Sequence, residues 1–360
     1  MSYIGAEVII SPLGETTEEN WRALSENRSG ITKVNAAGYN DENLFLGSIQ
    51  NHAAESRFTA LTIRALSQIA EKIDRNVLSS ERTIVILSST KGALDVNVTD
   101  QFQSPAAMLV EEFKLANQPV VISNACISGV LAINVAGNLV KNKIYDHAVV
   151  IGCDVISDFV VYGFQSLFAI SDQPCKPFDA ARNGITLGEG CGAVVVSAEK
   201  SIFSESPLHL LTGSSANDAN HISGPSRTGE GLFRSIGKTL NANQISGEEI
   251  DFISAHGTAT VFNDEMEAIA FDRAGLSHIP LNSLKGYFGH TLGAAGVIET
   301  VASMQMMRNS TLLKSVGFGE TGTSRSLNII TENRQKELNT VLKTASGFGG
   351  GNASLIIRSL

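Results

Sequence analysis

Short apolar runs rich in Val, Ile and Ala alternate along the chain with longer stretches whose apolar residues recur at helical spacing. Taken in order, the short runs predict strands over 6–11, 82–88, 120–123, 146–153, 192–197, 208–213, 250–255, 280–283 and 354–358. The periodic stretches predict helices over 17–25, 53–74, 106–115, 126–141, 229–242, 264–273 and 294–308. Strand and helix in alternation imply parallel or mixed sheets covered on both faces, an α/β protein.

The pattern also repeats. "ILSSTKG" (86–92) resembles "FISAHGT" (252–258), and the apolar helix after Cys126 resembles the one after His290. "GAVVVS" (192–197) resembles "NASLII" (352–357). The three matches fall in order at offsets of about 160 to 166 residues, the mark of a duplicated unit. The expected division is 1–203 and 204–360, with the junction near "EKSIFSESP".

Composition narrows the function. The 360 residues are 43% hydrophobic and 18% charged, with 33 glycines, enough for two units with a sizeable core. A net charge of −9 without a Lys/Arg run argues against nucleic acid as partner. The four cysteines lack metal-ligand spacing and are too few for a disulfide scaffold of this size, so no metal is expected. No apolar run is long enough to span a membrane, the first residues lack a signal-peptide pattern, and a cytoplasmic protein is expected.

Four places could carry chemistry. Cys126, in "SNACISGV", stands where an apolar run meets an apolar helix. A helix N-terminus would lower its thiol pKa and make it a nucleophile, although a free cysteine is also a common core filler. His256, in "SAHGTAT", falls at a strand end, where α/β sheets keep their sites, or is an ordinary loop histidine. His290 precedes the small-residue segment "GAAG", five residues after Lys285. The glycine-rich "ASGFGGGNASL" precedes a strand rather than a helix, which suits half of an oxyanion hole better than a phosphate cradle. "PFDAARNGITLGEGCGAVVV" reads as a tight hairpin in which Asp179, Arg182 and Glu189 are structural.

As a set, "NACISG", "PFDAARNGITLGEG", "NDANHISGP", "AHGTAT", "KGYFGHTLGAAG" and "SGFGGGNAS" resemble the β-ketoacyl-acyl-carrier-protein synthases of the Cys-His-His type. The order is the family's, and the resemblance covers nearly the whole chain. It implies a thiolase-like duplicated αβαβα layered fold, two mixed sheets around buried central helices. It implies ping-pong condensation: Cys126 takes an acyl group from the phosphopantetheine of an acyl carrier protein, and a malonyl-carrier protein loses CO2 and attacks it. His256 and His290 would stabilise the enolate, the N–H groups of Cys126 and Phe348 the thioester oxyanion. Lys285, paired with Glu267, would orient the array. Phe164 and Phe348, with Gly347 and Gly349 in the mobile loop, would form the gate, and Arg57 aligns with a segment that meets the carrier. A second histidine favours malonyl elongation over thiolase-type chemistry. No bound cofactor is implied. The implied partners are the carrier protein and a second subunit, identical or related, paired through the strand before Cys126.

The chain departs from that pattern in places. The segment from Lys91 to Cys126 is short, Ile127 follows the cysteine where a small residue is usual, and Ala259 and Val261 replace the usual Gly and Pro. These changes bear on chain length and primer, so fatty acid synthesis and a specialised polyketide or aryl-polyene role both stay open. So do a non-condensing acyltransferase or thiolase and a chain-length-setting partner subunit.

Overall fold

The computed structural model describes residues 2–50, 56–96, 99–218 and 224–360. Ten strands form the spine. They are β1 (Ser2–Ile10), β2 (Thr83–Ser88), β3 (Val120–Ile122), β4 (His147–Asp154), β5 (Gly190–Ser197), β6 (Leu208–Leu210), β7 (Phe252–Ser254), β8 (Leu281–Asn282), β9 (Thr340–Gly347) and β10 (Gly351–Arg358). The helices are α1 (Thr17–Ser25), α2 (Arg57–Lys72), α3 (Gln103–Phe113), α4 (Ser128–Lys141), α5 (Asp158–Ser166), α6 (Glu230–Asn243), α7 (Val261–Arg273), α8 (Lys285–Phe288) and α9 (Ala295–Arg308).

The strand order carries the repeat. In the first half it is β3-β2-β4-β5-β1; in the second it is β8-β7-β9-β10-β6. In each half the first three strands are parallel, and the fourth and fifth run antiparallel to their neighbours. The three sequence matches fall on equivalent elements: β2 with β7, α4 with α9, β5 with β10. Pairing of β1 with β6 joins the halves edge to edge into one eleven-stranded sheet, completed by the short strand Ser214–Asn217 beside β10. The changeover falls between β5, which ends at Ser197, and β6, which begins at Leu208.

Helix placement makes five layers. Helix α2 covers β1, β4 and β5 on the outside, and α6 covers β9 and β10, while α4 and α9 touch strands of both halves and each other. A central layer must be apolar all round. In α9 every residue but Gln305 and Arg308 is buried, and β4 and β5 are buried along their whole length, as strands covered on both faces should be.

Three expectations change. Segment 177–186 is irregular rather than a hairpin: Ile185 bridges Ile170 and Leu187 bridges His290, both in parallel. Strand β9 has no counterpart among the expected strands, because its Thr, Lys and Ser residues break the apolar run. Helix α2 starts at Arg57 and not at 53: Ser56 is extended and its Oγ caps the helix by accepting from the Thr59 N–H, while residues 53–55 and positions 219–223 of "NDANHISGP" lie outside the described residues. Strand β3 is a sheet edge with Val120 and Val121 exposed.

The central helices cross backbone to backbone through glycine. A Cβ on Gly129 would stand 2.7 Å from the Val297 nitrogen, and one on Gly296 would stand 2.5 Å from the Val130 nitrogen. Neither backbone can yield, since both helices are held between strands. Gly296→Ala is therefore expected to cost about 1–3 kcal/mol or more. Gly237→Ala in α6, where a Cβ meets nothing within 4 Å, should instead gain about 0.5–1 kcal/mol from helix propensity. Denaturant titration of the two variants checks this; equal effects would remove the crossing from its place in the core.

Candidate active site

Four chain segments converge where the two halves meet. The first is the turn from β3 into α4. Ala125 takes a φ of 43°, a left-handed conformation that costs a residue with a Cβ about 1–2 kcal/mol. Ser128 holds the turn: its Oγ accepts from the Asn124 N–H at 2.7 Å and donates to the Ala125 carbonyl at 2.6 Å. The strained elbow pushes Cys126 out ahead of α4, and strain of this kind collects at functional sites.

His256 follows β7. Its N–H and that of Gly257 donate to the two oxygens of Glu267, at 2.9 and 2.7 Å. His290 is fixed through its backbone: its N–H donates to the Thr186 carbonyl at 2.7 Å, and its carbonyl accepts from Gly188 at 3.0 Å. The imidazoles meet edge to face with ring centres 5.1 Å apart. His290 Nε2 lies 3.1 Å from Cys126 Sγ, and the three donor atoms fall within 4.8 Å of one another. One small reacting group could touch all three.

Hydrogen bonds set the tautomers. His290 Nδ1 accepts from the Leu292 N–H at 3.3 Å, so its ring proton sits on Nε2. Lys285 Nζ has three acceptors, Glu299 Oε1 at 2.7 Å, the His256 carbonyl at 2.5 Å and His256 Nδ1 at 3.3 Å. As an ammonium, Lys285 serves all three with its three N–H bonds, which makes His256 Nδ1 an acceptor and puts that ring's proton on Nε2 as well.

Burial decides the charges. Burial first, then Lys285, holds both imidazoles well below the usual histidine range of 6.5, with His290 adding to the effect on His256 and Lys343 to that on both. The expected lowering of the Cys126 thiol is corrected. Helix α4 begins two residues further on, and burial pushes the thiol up to about 12; Lys285 and Lys91 oppose the rise while Asp154 and Glu299 add to it. Burial and then Asp264 raise Glu267 to about 7. At rest the site is a neutral thiol beside two neutral Nε2–H donors.

Two further expectations are corrected. Lys285 pairs with Glu299 and not with Glu267, whose oxygens are taken by the backbone N–H groups of the His256 loop and by Asn263. Arg57 is not a free surface cation: its guanidinium pairs with buried Glu189 at 2.9 Å and donates to the Ile156 carbonyl. Asp179, Arg182 and Glu189 brace loops. Asp179 accepts from Gly319 and Glu320, Arg182 donates to Asp179 and Gly322, and Glu189 accepts from Ile49 and Ile156.

Three residues went unread in the sequence. Glu299 takes Lys285 on one oxygen and Lys343 on the other. Asp154, buried, ties Ser89 and Thr90 to Gly293, and so ties the β2 end to the His290 loop. A lone carboxylate within "AAGVIETVASM" and a lone lysine within "TVLKTAS" were the available signals.

A cavity of about 400 Å³ stands over these groups, lined by Cys126, His256, His290, Phe164 and Phe348. The two phenylalanines stack with ring centres 5.6 Å apart. Gly349 takes a φ of 83°, and Gly347 packs so close that a Cβ would stand 3.0 Å from the Cys126 nitrogen. Leu167, Phe168, Val261 and Phe262 are exposed at the rim. Ala259, where the resembling family usually has glycine, has a φ of 65°.

Such a fold and site are those of a thiolase-like condensing enzyme. Residues 79–201 match the "Beta-ketoacyl synthase, N-terminal domain" family and residues 209–319 the "Beta-ketoacyl synthase, C-terminal domain" family. The chain belongs to the β-ketoacyl synthase family, acyltransferase-type enzymes. It is 27% identical over 402 residues to 3-oxoacyl-[acyl-carrier-protein] synthase 2 of Coxiella burnetii, covering 97% of this chain and 96% of that one. It is 30% identical over 267 residues to putative polyketide beta-ketoacyl synthase 1 of Streptomyces halstedii, covering 70% and 63%. Among solved structures it is similar to the ketosynthase ApeO in complex with its chain length factor ApeC from Xenorhabdus doucetiae, with a TM-score of 0.91, 26% identity and coverage of 100% and 98%. No helix among the described residues is long and apolar enough to cross a membrane.

The depressed imidazoles have a measurable sign. Their folded pKa lies below the unfolded value of about 6.5, so below that pH the unfolded chain binds more protons than the folded one, and stability drops as pH falls. The His256 and His290 ring signals in 15N NMR should stay at the neutral Nε2–H shifts from pH 8 to about 5.5. A titration near 6.5 would mean that water reaches the site.

Proposed function

We propose that this chain is a 3-oxoacyl-[acyl-carrier-protein] synthase, carrying out decarboxylative Claisen condensation in fatty acid or polyketide-type elongation. The observation that carries the reading is the pair of Nε2–H donors at the Cys126 sulfur, each fixed by a partner on Nδ1.

Cys126 Sγ attacks the acyl thioester on the phosphopantetheine of one carrier protein. The C–S bond to pantetheine breaks, and the thiol proton leaves with the pantetheine sulfur. The oxyanion of this step accepts from the N–H groups of Cys126 and Phe348, a role supported by the close approach of Gly347 to the Cys126 amide. Malonyl-carrier protein then binds. Its carboxylate departs as CO2, and the bonding pair moves into an enolate whose oxygen accepts from His256 and His290. The enolate carbon attacks the Cys126 thioester, the C–Sγ bond breaks, a 3-oxoacyl group leaves on the carrier, and the released thiolate takes a proton from water to restore the thiol.

Glu267 keeps a positioning role through the His256 loop, and Phe164 and Phe348 gate the cavity. The pantetheine arm arrives with the substrate, so no resident cofactor is needed, and a cytoplasmic location fits that supply. Carrier docking passes from Arg57 to the rim of the cavity. The curated relatives are named for fatty-acid-type and polyketide synthases alike, so both pathways stay within the reading.

His290→Ala should still allow acylation of Cys126, since the elbow and Gly347 are untouched, yet slow malonyl decarboxylation about 10²–10³-fold. Peptide mass and labelled CO2 release measure the two steps, and equal loss of both would remove the division of labour. Cys126→Ala should abolish the condensed product.

We also assign the β3 edge to a second synthase-like subunit, identical or related. Val120 and Val121 are 44% and 37% exposed on an edge with open backbone groups. An interface of ~2,000 Å² or more follows. Sedimentation at low micromolar concentration should show a dimer that Val121→Lys weakens; an active monomer would refute the pairing.

A further inference from the structure

Lys343 is the buried charge that the condensation scheme does not use. It lies in β9, level with Ser254, the last residue of β7, two residues before His256. Its Nζ donates to Glu299 Oε2 at 2.5 Å and to the Ser254 and Ala255 carbonyls at 3.3 Å each. Glu299 Oε1 holds Lys285, and both lysines are 1% exposed or less. Two ammonium groups therefore share one carboxylate, which leaves a unit of positive charge sealed beneath the two imidazoles.

That excess is costly. A Lys285–Glu299 pair alone would be neutral, and an apolar side chain at 343 would complete the core without burying a further ion. From this geometry we infer that Lys343 is a positioning residue for the condensing reaction, keeping the cavity floor net positive and holding Lys285 against His256 by occupying the second oxygen of Glu299. This rests on the condensing reading of the site.

Every step of that reaction places negative charge in the same cavity, first on sulfur, then on the thioester oxygen, then on the enolate. A fixed cation in a dry space favours each of them without reorganising. The groups that face the cluster are Lys285 of α8, Glu299 of α9, Glu267 and Asp264 of α7, and the two histidines. On the Cys126 side they are Asp154 and Lys91. Within the buried cluster on Glu299, Lys343 supplies the ammonium beyond what that carboxylate neutralises in the Lys285 pair.

Three variants test this: Lys343→Met, Lys343→Arg, and Lys343→Met combined with Glu299→Gln, which restores one net positive charge through Lys285. Two readouts are followed against pH, alkylation of Cys126 by iodoacetamide and CO2 release from malonyl-carrier protein. In Lys343→Met, alkylation at neutral pH should fall about tenfold as the thiolate fraction drops. The acid limb of CO2 release should move to higher pH as the imidazoles regain basicity, with KM for the carrier unchanged. Lys343→Arg should keep most of the wild-type behaviour, and the double variant should recover alkylation toward it. A folded Lys343→Met with wild-type profiles, or a double variant no faster than Lys343→Met, overturns the assignment. If Lys343→Met does not fold, the Arg and double variants decide by the same readouts. Alkylation that follows the charge while no variant, nor the wild type, forms a 3-oxoacyl product would support the role of Lys343 and sink the condensing reading.

Discussion

Exclusion of water from one small space governs this molecule. Burial is the first cause of the rise in Cys126, the rise in Glu267 and the fall in both imidazoles, so the thiol and both rings take their neutral forms at rest. Glu299 is the counter-example: burial pushes it up, but Lys285 and Lys343 outweigh burial and hold it below the usual carboxylate range. A neutral ceiling over a charged floor results. Hydrogen bonds donated to Nδ1 do what charge does not, leaving the remaining N–H of each ring on Nε2, where His290 meets the sulfur.

The fold serves that space by division. One half supplies the elbow with Cys126; the other supplies both histidines, Lys285, Glu299 and Lys343. The halves meet through two helices that touch at glycines, close enough for the β3–α4 elbow to reach the His290 loop. Asp154 then binds the end of β2 in one half to the His290 loop of the other, accepting from the Gly293 N–H at 2.6 Å. Packing and chemistry here are the same contact.

Much of this could be read in the residues alone, for a physical reason. Cys126, His256 and His290 stand at element ends beside small residues, and such positions keep a local signature of turn chemistry and apolar flanks. The repeat was visible because equivalent buried strands face equivalent environments. Glu299 and Lys343 left a fainter signal. A single charge inside an apolar run is compatible with a surface-facing position, and only the long-range pairing of α9 with α8 and β9 gives it meaning. Lys285 was matched with the wrong carboxylate for the same reason, since Glu267 and Glu299 are both buried acids and only geometry tells which one faces the ammonium. Arg57 misled in the opposite sense: its partner Glu189 is distant in sequence, so an internal ion pair looked like a surface cation. The rise of the thiol was hidden because a helix start is a local feature and burial is a global one.

The glycine crossing of α4 and α9 also fixes when the thiol becomes dangerous. Before the two helices meet, Cys126 belongs to a strand-to-helix turn in water, with no imidazole beside it and no buried cation below. A nascent or partly folded chain thus carries an ordinary cysteine, no more prone to stray acylation than any other. The imidazoles, the buried lysines and the backbone donors gather around the sulfur only where that contact is made, and they part from it when the contact opens.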